Sequence, residues 1–146
     1  MEDLGVIGLI KKRFAETGNP AQILMAKRGR TFSAKLADDG IYVDNLGDQP
    51  FLTWAVFTES LLLLEKMNGK VIKGNAMNFR LGELGLQVDS LEGHIAHKVY
   101  QKDLGDSVFR RITPVAGILV WAEICASEPG ELKLDIKNSK AQKKKC

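Results

Sequence analysis

The sequence predicts an α+β fold: a three-stranded antiparallel meander packed with about four to five helices, plus a short C-terminal strand. Three patterns carry this. Trp54, Phe57, Leu61 and Leu64 recur at helical spacing. Phe32, Ala34 and Leu36 alternate with Ser33, Lys35 and Ala37 between Gly-containing turns. Thr113-Pro114 offers an N-cap and a first-turn proline ahead of an apolar run that reaches Cys125.

Taken in order, Leu4, Ile7, Ile10 and Phe14 predict a helix over 3–16, ended by Gly18-Asn19-Pro20. Ile23-Leu24-Met25-Ala26, the 32–36 alternation and Ile41-Tyr42-Val43 make the meander, turning at Arg28-Gly29-Arg30 and Asp38-Asp39-Gly40. The next helix runs Trp54–Met67 and stops at Asn68-Gly69. Leu62 widens its apolar stripe. Leu63 falls among Glu59, Ser60 and Lys66, on the polar side, which suggests a cover by another element or by a second subunit.

Residues 70–88 are Gly-rich and irregular. Asp89 with Glu92 reads as a capping box for a helix from Ser90 to Tyr100. Asp106-Ser107 caps a short helix, Val108 to Ile112. The Pro114–Cys125 helix is apolar nearly all round and is expected to be central. Leu132, Leu134 and Ile136 alternate as the final strand. The expected organisation is one domain over 1–137 and a flexible lysine-rich tail over 138–146.

The chain has 146 residues, 45% hydrophobic and 27% charged, enough apolar material for a core without staples. Its two cysteines, Cys125 and Cys146, make no disulfide framework and fit a reducing, cytoplasmic setting. No secretory signal or apolar span long enough for a membrane is visible, and Cys146 is misplaced for prenylation.

The net charge of +3 is uneven. Residues 131–146 hold six lysines against Glu131 and Asp135, a net of +4, so the first 130 residues sum to −1. Lys11, Lys12, Arg13, Lys27, Arg28 and Arg30 form a basic stretch against Glu16. Asp38, Asp39, Asp44, Asp48, Glu59 and Glu65 follow against Lys35 and Lys66. Such polarisation permits an anionic partner.

Specific chemistries find thin support. His94 and His97 lie three apart on a helix, but zinc needs three or four ligands and neither Cys is near in sequence. No Gly-x-Ser-x-Gly elbow is present, and Cys125 sits in an apolar run where thiols are inert. Gly69-Lys70-Val71-Ile72-Lys73-Gly74 could expose amides and two lysines to a phosphate, without matching a P-loop. Glu131-Leu132-Lys133 matches a short nuclease pattern that any charged strand produces. No cofactor and no metal ligand set is assigned.

From Asp89 to Ile136 the order helix, short helix, helix, strand is compatible with a trihelical or winged-helix unit. The short helix would then expose Arg110 and Arg111. Its third helix, however, has no basic residue to place in a groove. The leading expectation is a non-enzymatic binding module that touches nucleic acid through Lys11, Lys12, Arg13, Arg28, Arg30, Arg110, Arg111 and the tail. The alternatives are an assembly subunit, a homodimer through Leu63, and a small metal-dependent nuclease or phosphotransfer enzyme using Glu131/Lys133 or the 69–74 stretch.

Overall fold

The computed structural model describes residues 5–25 and 29–135. Leu4, Ala26, Lys27, Arg28, Ile136 and the lysine-rich tail of the sequence reading lie outside them. The elements run α1 (Val6–Thr17), β1 (Ala21–Leu24), β2 (Thr31–Leu36), β3 (Gly40–Val43), β4 (Phe51–Thr53), α2 (Trp54–Lys66), β5 (Lys70–Ile72), α3 (Leu91–Lys98), α4 (Ile112–Trp121), β6 (Cys125–Glu128) and β7 (Glu131–Leu134).

The fold is α+β with two antiparallel sheets. The meander is present but has four strands, in the order β1-β2-β3-β4, because Phe51–Thr53 pairs with Gly40–Tyr42. The final strand is present as β7. It is the centre of a second sheet, β5-β7-β6, which the apolar alternation of the sequence does not show. Three-residue strands such as β4 and β5 are too short to show an alternation, so only their partners define them.

One apolar cluster joins α1, both sheets, α2 and α4. In α1 the buried residues are Val6, Ile10 and Phe14, four apart on one helical face. In α2 the phase differs from the sequence reading. Leu63 is 2% exposed and belongs to the chain's own core, whereas Leu62 stands 56% exposed. α2 is flanked by α1 on one side and α3 on another, so its buried arc is wider than a single stripe.

α4 is central as expected, with Val115, Ile118 and Leu119 fully buried. It packs against β1 and β6, one strand from each sheet. Its bounds differ from the sequence reading. It begins at Ile112 and stops at Trp121, and Cys125 lies in β6. Glu123, at φ 65°, turns the chain out of the helix, and both the helix end and the strand are apolar enough to read as one run.

The largest departure lies around Glu92. The N-cap of α3 is Ser90, not Asp89: its Oγ accepts the Gly93 N–H at 3.1 Å. Glu92 is 0% exposed and does not bond back within its own helix turn as a capping box requires. Its carboxylate accepts the N–H of Arg111 at 3.0 and 3.1 Å and the N–H of Ile112 at 2.8 Å. It therefore caps α4, whose N-cap residue Arg111 makes no side-chain capping bond of its own. The short helix expected at Val108–Ile112 does not form. Glu92 takes the Arg111 amide that such a helix would have bonded internally, while Val108 and Ile112 turn into apolar clusters.

Burial raises the Glu92 carboxyl to about 7, outweighing the Arg111 and Ile112 amides and the Arg111 and Arg110 charges, which pull the other way. The folded chain thus holds this proton more tightly than the unfolded chain, whose ordinary value is 4.5. Stability from this group is full below pH 4.5 and lost as pH rises to about 7. Relative to a Glu92→Gln chain, the urea-unfolding free energy should fall by roughly 3 kcal/mol across that window. Parallel curves for the two chains would contradict it.

Candidate functional site

The cleft in question is built on α4. Thr113, Ala116, Gly117, Val120 and Trp121 fall at i, i+3, i+4, i+7 and i+8, one stripe of the helix, and this stripe is left open between the two sheets. Leu24 and Met25, at the end of β1, form one wall. Ser127 of β6 and Lys73, just past β5, form the opposite one. The cleft measures about 430 Å³.

Gly117 lets α4 lie close to the first sheet. A Cβ there would come within 2.9 Å of the Phe32 ring, so even alanine would push the helix and its stripe away from β1 and β2. Trp121 is fixed from behind. Its ring meets Phe14 edge-on at 4.8 Å, the Arg13 guanidinium lies 5.7 Å from the ring centroid, and Arg13 Nε donates to the Trp121 carbonyl at 2.8 Å.

Three cations border this apolar floor: Arg30, Lys73 and Arg110. Among the described residues, no carboxylate lines the cleft. Arg30 is placed by the β1–β2 turn, where its carbonyl accepts the Met25 N–H at 2.8 Å. Arg110 is placed by its neighbours Arg111 and Ile112, whose amides Glu92 holds. Lys73 is half-buried, with Nζ 2.6 Å from Ser127 Oγ, and burial lowers its pKa. A second hollow of about 280 Å³ runs along β5, but Lys70, Asp89 and Glu131 give it both signs of charge.

The structure divides the basic residues named from sequence. Arg30 and Arg110 meet at the cleft, with Arg13 behind its tryptophan. Lys11 lies over the Trp54 ring at 5.7 Å, and Lys12 pairs with Glu16 at 3.9 Å. Arg111 does not face solvent. It is 4% exposed, with its guanidinium 3.7 Å from the Tyr100 ring centroid and Nη2 donating to Gln49 Oε1 at 2.6 Å. It is a packing residue: the non-helical chain before α4 turns its side chain inward.

The other candidates separate. His94 Nε2 pairs with Glu59 Oε1 at 2.9 Å and His97 Nδ1 with the Lys102 carbonyl at 3.0 Å. No group of three possible metal ligands occurs among the described residues. Lys133 pairs with Glu128 at 3.1 Å and Glu131 with Lys70 at 3.7 Å, so the Glu131/Lys133 trio is spent on ion pairs within the second sheet. In the 69–74 stretch Lys70 is held there while Lys73 reaches the cleft, so the two do not form one phosphate cradle.

Sequence reasoning missed Ser127, Thr113 and Trp121 as site residues, and it met Lys73 only as part of the glycine-rich stretch. None carries a motif; only the packing of α4 between two sheets brings them together.

Cys125 is buried, and burial, with Asp135 adding to it, pushes its thiol up to about 12. In a Cys146→Ser chain, Ellman's reagent should leave Cys125 unmodified at pH 8 until urea unfolds the protein. Rapid modification of the folded chain would contradict its inert placement.

Comparison of the chain with protein-family models, with curated proteins and with solved structures found no match to any of them.

Proposed function

We propose that this protein is a binding module for single-stranded nucleic acid, with the strand lying in the α4 cleft. The observation that carries the reading is the convergence of Arg30 and Arg110 on an apolar floor that includes Trp121 and that no described carboxylate lines. Arginines supply phosphate contacts, and half-exposed apolar and aromatic side chains supply faces on which bases stack without sequence preference. A single strand fits better than a duplex. α4 has no basic or long polar side chain to enter a major groove, and it forms the floor of the cleft rather than projecting from the surface.

The reading is tested by titrating fluorescent single-stranded DNA and RNA with the full chain over a range of salt. Affinity should fall steeply with salt. The double variant Arg30→Gln/Arg110→Gln should bind more weakly and lose about 1.4 from the slope of log K against log salt, at ~0.7 per phosphate contact. An unchanged slope would place the contacts elsewhere, and no binding by the native chain would end the reading. The same samples on a sizing column report self-association, for which the exposed Leu62 replaces Leu63 as the apolar surface residue of α2.

A further inference from the structure

Lys73 and Ser127 meet in the cleft, and the strand-binding reading uses neither. They are 54 positions apart, yet Nζ and Oγ stand 2.6 Å from one another. The backbone holds Lys73 on both sides: its N–H donates to the Gly130 carbonyl at 2.8 Å, and its carbonyl accepts the Glu92 N–H at 2.9 Å. Ser127 is fixed by pairing of β6 with β7. A serine hydroxyl is a weak nucleophile unless a base sits within hydrogen-bond reach, and a neutral lysine amine can be that base.

We propose that Ser127 and Lys73 form a nucleophile–base pair that hydrolyses carboxylic esters whose apolar acyl group rests on the α4 stripe.

Three features support the assignment. Partial burial lowers the Lys73 pKa, the direction in which a lysine must move to act as a base. The acyl group has an apolar seat in Leu24, Ala116, Val120 and Trp121, which line the same cleft. The third is a donor for the developing oxyanion. β6 is an edge strand, and Asp135 N–H donates to the Ile124 carbonyl at 2.7 Å. With Glu128 opposite Glu131, the alternation turns Ala126 and Glu128 toward β7 and the Ser127 N–H toward the open edge. That amide and the Arg110 guanidinium are among the donors that line the cleft and could serve an oxyanion there.

In the reaction, Oγ bonds to the ester carbonyl carbon while its proton moves to the Lys73 amine. The bond from that carbon to the alcohol oxygen then breaks, and the lysine returns the proton to the departing alkoxide, leaving an acyl group on Ser127. Water next gives a proton to the amine and attacks the acyl carbon. Ser127 leaves and recovers its proton, so the sum is ester and water to acid and alcohol.

The test uses the full chain, p-nitrophenyl butyrate as an uncharged ester, and a fluorophosphonate probe located by peptide mass spectrometry. The native chain should hydrolyse the ester at least ~100-fold faster than Ser127→Ala, and the probe should mark Ser127. Lys73→Arg keeps a cation and a hydrogen-bond donor but cannot become neutral. It should lose the rate to the same degree, whereas the native rate rises with pH as lysine deprotonates. Equal rates for native and Ser127→Ala chains, a probe adduct on another residue, or a native rate in Lys73→Arg would each overturn the proposal. The assay contains no nucleic acid, so its failure and that of the strand titration are separate outcomes.

Discussion

The carboxylate of Glu92 is the contact on which the rest of this structure depends. One buried side chain joins three parts of the chain. Its carboxylate holds the first amides of α4, its own amide holds the carbonyl of Lys73 behind β5, and its backbone forms the first turn of α3. A helix N-terminus leaves several amides without partners inside the helix, and burying them unbonded is costly. In α4 Thr113 and Pro114 follow the N-cap, but the N-cap residue itself offers no side-chain bond to the helix amides. Glu92 supplies that acceptor from another helix. The interaction opposes itself, because the amides favour a charge that burial disfavours, and burial wins.

The geometry of the cleft follows. With α4 pinned at its start, its apolar run lies beneath both sheets, and Gly117 sets how near it comes to Phe32. The sheets do not join. β1 ends one and β6 ends the other, and the stripe of α4 between them stays open. Arg110 and Lys73 reach this opening because Glu92 bonds the backbone next to the first and at the second. The cations at the rim and the residue that organises them are thus coupled through backbone rather than through side-chain contact.

Much of the fold was legible where one pattern repeats over several residues. The meander, α1, α2 and the central place of α4 all show in apolar spacing. What stayed hidden depended on partners distant in sequence. β5 is three residues long and is defined by β7, some sixty positions on. Leu62 and Leu63 exchange roles because α2 has neighbours on two sides, which a single stripe does not encode. Asp89 and Glu92 have capping-box spacing, yet Glu92 serves a helix twenty residues later. For the site, Arg30 and Arg110 were legible as exposed charge. Arg111 looked the same in sequence and is buried over Tyr100, because local charge does not reveal which side of an irregular segment faces the core. Lys73 showed only within the glycine-rich 69–74 stretch, and nothing local tied it to Ser127, 54 positions on.

We propose that the open stripe of α4, between two sheet edges, is where this protein meets its ligand. The most direct measurement is a backbone amide NMR titration of the full chain with a short single-stranded oligonucleotide. Shifts are expected at Leu24, Met25, Arg30, Lys73, Ser127 and residues 110–121, with the outer surface of the first sheet near Tyr42 unmoved. Shifts centred on Lys11, Lys12 or the tail, with the α4 stripe unchanged, would contradict it.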